Sequence, residues 1–160
     1  MEKIFIVVVC GATASGKTRL AIDLAKRFDG EIVSADSMQI YKKLDIASAK
    51  PDEKEKDGII HHMMDFLEPT TPFSVAAYVP MAREIIADIH SRGKLPIICG
   101  GTGLYINSLV DNIEFDDTGS DPAFREEMKR LAEEQGNGAV LEKLREVDPE
   151  SAARLHENNL

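Results

Sequence analysis

Residues 11–18 read Gly-Ala-Thr-Ala-Ser-Gly-Lys-Thr and satisfy the spacing G-x-x-x-x-G-K-[S/T]. The apolar, β-branched run Ile4 to Cys10 precedes them, as in a strand buried on both faces of a parallel sheet. Behind them, Leu20, Ala21, Leu24, Ala25 and Phe28 recur at helical spacing until Asp29-Gly30 stops the pattern. Strand, glycine-bounded loop and helix in that order form a phosphate-binding unit. The glycines let the backbone turn tightly, so that amide N–H groups and the helix N-terminus face phosphate oxygens. The candidate phosphate contacts are therefore Gly11, Ala12, Thr13, Ala14, Ser15, Gly16, Lys17 and Thr18, with Lys17 adding positive charge and Thr18 a hydroxyl for Mg²⁺.

A second short strand is predicted from Glu31 to Ala35, delivering Asp36 to the end where open α/β sheets place ligands. Local sequence leaves Asp36 three roles: a Mg²⁺ carboxylate, a general base beside the bound phosphates, or the cap of the following turn. From Tyr41 to Gly58 the chain is polar, with the charged run 50–57, and reads as a long surface loop with solvated charges. Ser74 is placed to cap a helix reaching Arg92, with Tyr78, Ala82, Ile85, Ile86 and Ile89 on one face and Pro80 expected to kink or delay it. Leu95 to Cys99 reads as another strand, followed by the loop Gly100-Gly101-Thr102-Gly103. The alternation predicts a parallel sheet flanked by helices.

Past Asp116 the strand signals cease, which sets the expected domain boundary: an α/β core over 1–116 and the start of a helical insertion over 117–160. Asp121-Pro122 opens a first helix with Phe124, Met128, Leu131 and Ala132 as its apolar face. Val140, Leu141 and Leu144 mark a second, and Asp148-Pro149 a third with no visible stop. The apolar residues of all three are expected to be core.

Composition narrows the function. Nineteen Lys and Arg against 28 Asp and Glu give a formal net charge of −9 over 160 residues, which excludes a broad basic face for nucleic acid and leaves only local contacts. No apolar stretch reaches the ~20 residues of a membrane-spanning helix. A signal peptide at Lys3 to Ala14 is the weaker reading of a segment that also fits a buried first strand. Cys10 and Cys99 each close an apolar run, show no metal-ligand spacing and read as buried thiols in a reducing cytoplasm. His61-His62 with Asp65 could suggest a metal, but adjacent side chains on a strand point apart, favouring structural or substrate-lining roles.

Asp36-Ser37-Met38-Gln39-Ile40-Tyr41, Ile46-Ala47-Ser48-Ala49-Lys50-Pro51, His61-His62-Met63-Met64-Asp65 and Gly100-Gly101-Thr102-Gly103-Leu104-Tyr105 follow the glycine-bounded loop in order. Together they resemble the tRNA dimethylallyltransferase family, with Ala12 standing where the family usually has proline. The resemblance implies transfer of a dimethylallyl group from dimethylallyl diphosphate to the exocyclic N6 amine of an adenosine beside the tRNA anticodon. It implies that residues 13–18 cradle the diphosphate, that Lys17 and Asp36 are catalytic, and that Thr18 binds Mg²⁺. Asp36, Ser37, Met38, Gln39, Thr102 and Arg125 would contact tRNA, chiefly its anticodon stem-loop. A cytoplasmic monomer is expected, continuing beyond Leu160 into further basic, tRNA-binding sequence. The alternatives are a small-molecule kinase with the same loop and a nucleotide-gated binding module.

Overall fold

The computed structural model describes residues 3–46, 48–113, 115 and 121–158. They fall into two compact units, Met1–Phe115 and Asp116–Leu160. The boundary expected at Asp116, Ala47 and the terminal Leu160 lie outside the described residues.

In the first unit β1 (Val7–Cys10), β2 (Gly30–Ser34), β3 (His61–His62) and β4 (Leu95–Gly100) form a parallel sheet in the order β1-β4-β2-β3. Around it stand α1 (Lys17–Phe28), α2 (Glu53–Lys56), α3 (Val75–Ser91) and α4 (Gly103–Val110). Consecutive strand residues serve opposite faces. Ile32, Ile97, Val9 and Cys99 pack with Ala21, Ile22 and Ala25 of α1. Their neighbours Val33 and Ile98 pack with Tyr78, Val79, Ala82, Ile86 and Ile89 of α3 and with Tyr105, Ile106 and Leu109 of α4. Helices on both faces explain why β1 and β4 read as nearly unbroken apolar runs. Each fully buried Ile or Val contributes roughly 1.5–3 kcal/mol.

Several expectations change. The first strand pairs only from Val7; before it Phe5 is largely solvent-exposed while Ile4 and Ile6 pack against the core. Ser74 caps α3 by accepting the Ala77 amide, and the helix runs through Pro80 without delay. Pro80 faces solvent, so water can satisfy the carbonyl that its missing N–H leaves at Ala76. The 41–58 stretch is no wholly solvated loop. It holds α2, closed by a capping box between Asp52 and Glu55, and it buries Lys50.

The second unit is α5 (Pro122–Gln135), α6 (Asn137–Val147) and α7 (Pro149–Arg154). Asp121 and Asp148 cap α5 and α7 as their Asp-Pro signals predict. Phe124, expected in the core, is 56% exposed, and α5 and α6 contain no fully buried residue. The third helix stops at Arg154, where Leu155 turns extended. Among the described residues no helix is long and apolar enough to cross a membrane.

Candidate active site

The parallel sheet turns the C-terminal ends of β1, β4 and β2 to one side, and a groove of about 600 Å³ opens there. Its floor is the loop after β1. Ala14 and Gly16 take left-handed backbone angles, φ 63° and 84°, and a side chain at Gly16 would strain the turn. Gly16 is also the N-cap of α1, with no side chain capping the helix. By contrast α2, α3, α5 and α7 spend Asp52, Ser74, Asp121 and Asp148 on their first-turn amides. The first amides of α1 are thus left for an anion. Lys17 Nζ donates to the Ala12 carbonyl at 3.2 Å, across the loop, and Thr18 lines the same floor.

Asp36 lines the facing wall, just beyond β2. Its Oδ1 accepts the Met38 amide at 3.0 Å and the Gln39 amide at 3.4 Å. The capping role is therefore real, and it engages one oxygen; among the described residues Oδ2 has no hydrogen-bond partner. The capping and chemical readings of Asp36 are compatible, because the first holds the carboxylate still for the second. Ser37 donates its amide to Thr102 Oγ1 at 2.9 Å, and Thr102 Oγ1 lies 3.3 Å from Ser37 Oγ. Gln39 Nε2 donates to the Ser48 and Ala49 carbonyls, at 3.1 and 3.3 Å, and both of those residues line the groove. Met38 is half exposed.

The glycine loop after β4 matters more than its composition suggests. A Cβ on Gly100 would fall 2.1 Å from the Ala35 carbonyl oxygen, so only glycine lets β4 pass the chain that leads into Asp36. The Ala35 amide donates to the Cys99 carbonyl and the Thr102 amide to the Ala35 carbonyl, at 2.8 and 3.1 Å. Beneath this end of β2, Tyr78 stacks on Tyr105 with ring centroids 4.3 Å apart. The Tyr78 hydroxyl donates to the Ser34 carbonyl at 3.1 Å. Burial pushes the Cys99 thiol up to about 11, with Lys17 opposing the shift and Asp36 adding to it. That thiol is buried and protonated, a packing group rather than a nucleophile, whereas Cys10, expected to be buried as well, is exposed at the end of β1.

Of the residues singled out in the sequence, Thr13 to Thr18, Asp36 and Gln39 line one groove, and Ser37 and Thr102 are bonded just behind it. Arg125 belongs to the helical unit, exposed in the first turn of α5. The two histidines do point apart. His62 Nε2 pairs with the buried Glu31 at 2.7 Å, whereas His61 Nδ1 meets the Ile59 carbonyl at 2.9 Å. Neither lines the groove. Among the described residues no three His, Cys, Asp or Glu side chains gather to hold a metal by themselves. Periodicity missed Ser48, Ala49 and Pro51 in the wall, and the Lys50 cluster behind them. The sequence marked this stretch only through the family-like segment Ile46 to Pro51, which does not show what Lys50 meets.

The family model described as isopentenyl transferase matches residues 4–65, and that described as IPP transferase matches residues 39–160. A tRNA dimethylallyltransferase of Caldanaerobacter subterraneus is 59% identical over 97% of this chain and 49% of its own length. That of Acetivibrio thermocellus is 54% identical over 97% of this chain and 50% of its own. Among solved structures, the tRNA isopentenylpyrophosphate transferase of Bacillus halodurans is 41% identical, covering 98% of this chain and 52% of its own, with a TM-score of 0.71. A eukaryotic dimethylallyltransferase acting on tRNA is 32% identical over 96% of this chain and 38% of its own, with a TM-score of 0.80. The chain spans about half the length of the curated relatives it matches. These likenesses run through the loop, the Asp36 turn and the helical unit alike, and on them the chain belongs to the IPP transferase family.

Proposed function

We propose that the whole protein transfers a dimethylallyl group from dimethylallyl diphosphate to the N6 amine of an adenosine beside the tRNA anticodon. The observation that carries this reading is the sharing of one groove by the uncapped 13–18 loop and Asp36, whose carboxylate is fixed through one oxygen. The relatives named above support it over a kinase, since they are named as transferases acting on tRNA.

In this reading the loop amides and Lys17 bind the diphosphate, and Asp36 takes the proton. The amine nitrogen attacks the terminal allylic carbon, the carbon–oxygen bond to diphosphate breaks, and the amine proton passes to Asp36. An adenine amine is a poor nucleophile because its lone pair is delocalised into the ring, so removing the proton as the bond forms lowers the barrier. Charge develops on the leaving diphosphate, where the loop amides and Lys17, turned from the Ala12 carbonyl, would stabilise it. The site suits Mg²⁺ in one way only. Thr18 offers a hydroxyl without a carboxylate cage, so a hard cation would draw its other oxygens from diphosphate and water and would supply charge neutralisation on the leaving group.

Ser37, Met38, Gln39 and Thr102 form the acceptor side, with Arg125 of α5 a further tRNA contact. We read the enzyme as a cytoplasmic monomer. Incubating the whole protein with labelled dimethylallyl diphosphate and unmodified tRNA tests the reading. Label should enter the tRNA and diphosphate should be released in equal amount. Phosphate transfer from ATP to a small acceptor, without label in tRNA, would replace it with the kinase.

A further inference from the structure

Asp36, Gln39, Ser48, Ala49 and Pro51 make one wall of the groove, yet the described part of this stretch between β2 and α2 contains neither helix nor strand. It is also strained. Lys43 and Ala49 within it, and Met63 and Asp65 packed beside it, take left-handed angles of φ 64°, 48°, 58° and 57° without being glycine. Such conformations persist only where the surroundings over-determine them.

Lys50 supplies that constraint. Its side chain is 3% exposed, and its ammonium donates to the Tyr41 carbonyl at 2.8 Å, to Asp45 Oδ1 at 2.8 Å and to Asp65 Oδ1 at 2.5 Å. An ammonium has three protons to donate, and three acceptors take them. Burial alone would favour the neutral amine, but the bonds to Asp45 and Asp65 outweigh it and hold the pKa above its ordinary value. The flanking Ala49 and Pro51 line the groove, whereas Lys50 does not.

From Lys50 the contacts run without a break to the carboxylate. The Asp65 amide donates to the Gln39 carbonyl at 3.1 Å. The Gln39 side chain holds Ser48 and Ala49, and its amide donates to Asp36 Oδ1. We propose that Lys50 is a positioning residue for the base, acting through Asp65 and Gln39 to fix the Asp36 turn and the Ser48–Ala49 wall against the phosphate loop. This assignment rests on the transfer reaction proposed above.

The test is Lys50→Met in the whole protein, which keeps an apolar stem and removes the ammonium. Single-turnover transfer should fall roughly 10- to 100-fold, the scale of a small misplacement of reacting groups. Affinity for dimethylallyl diphosphate should stay unchanged, because the loop after β1 is not part of the cluster. Amide hydrogen exchange should quicken over 38–49 and stay as in the wild type over 13–18. Lys94→Met is the control for a merely structural lysine: Lys94 lies 3.2 Å from buried Glu31, and its loss should lower Tm while leaving transfer at the wild-type rate. If Lys50→Met fails to fold, Asp65→Asn weakens the same contact while retaining the Asp65 amide, and it should move rate and exchange in the same directions. Wild-type transfer by folded Lys50→Met, or unchanged exchange over 38–49, would overturn the proposal. If the wild-type protein transfers no dimethylallyl group, the proposed function fails, and the exchange measurement still decides whether Lys50 holds the wall.

Discussion

The Ser37 amide donates to the Thr102 hydroxyl at 2.9 Å, joining residues 65 positions apart in the chain. With the Thr102 amide bonded to the Ala35 carbonyl, the loop after β4 grips the chain on both sides of Asp36. Thr102 begins α4 yet does not cap it with its side chain; the hydroxyl serves the turn. The position of the Asp36 carboxylate is therefore a property of two loops, each built on a neighbouring strand.

Asp36→Asn preserves Oδ1 as an acceptor for the Met38 and Gln39 amides, so the turn should survive. Transfer should nevertheless fall by roughly 10²- to 10⁴-fold, because an amide cannot take the proton. Donor affinity, measured with and without Mg²⁺, should hold. A variant with normal transfer removes Asp36 from the chemistry; one that loses Mg²⁺-dependent binding makes it a metal carboxylate instead.

Lys17→Ala should weaken binding of dimethylallyl diphosphate by about 1.5–3 kcal/mol, the range for a charge-assisted contact. Calorimetry reads this directly. Equal affinity in variant and wild type would exclude the loop as the donor site.

Gly100→Ala should destabilise the chain by roughly 1–3 kcal/mol or more, since its Cβ overlaps the Ala35 main chain and strands cannot part without losing their ladder. A lowered urea midpoint checks the fold. Loss of transfer in the fraction still folded checks the coupling to Asp36.

The far end of β2 governs acid stability. Glu31 is buried and accepts hydrogen bonds from the two terminal Arg92 nitrogens, at 2.5 and 2.8 Å. Arg92 foremost holds its carboxyl well below the ordinary range; burial opposes the shift, and His62 and Lys94 assist it. A depressed folded pKa contributes stability above the unfolded value and loses it as pH falls toward the folded one. Stability should therefore decline as pH falls below about 5, and Glu31→Gln should flatten that slope while lowering stability at neutral pH. Urea midpoints across that range test the sign.

Much of this was readable beforehand, for reasons tied to particular residues. Ile97 and Ile98 are apolar on both faces of β4, and the helical spacing of Leu20, Ala21, Leu24, Ala25 and Phe28 finds α1, although the face it buries is Ala21, Ile22 and Ala25 while Leu20 and Phe28 stay half exposed. Asp36 is conspicuous because an acid ends an apolar strand. Lys50 stands in a segment that carries the family resemblance, but its partners were not legible: charge content cannot separate a solvated lysine from one folded onto Asp45 and Asp65, and Asp65 lies fifteen residues on. The close approach of Gly100 to Ala35 depends on strand order, which local sequence does not encode. Phe124 followed helical spacing correctly, but spacing does not say whether anything packs on the face it marks.

Because β4 lies between β1 and β2, the loop that begins at Gly11 and the turn that holds Asp36 start two strand spacings apart, about 10 Å. Main-chain ladders set that gap, so it behaves as a ruler that side-chain substitution cannot shorten. In the reaction proposed above, the reach from leaving group to base is therefore set by the order of the strands, and substitutions in the groove walls can change how that gap is filled but not how wide it is.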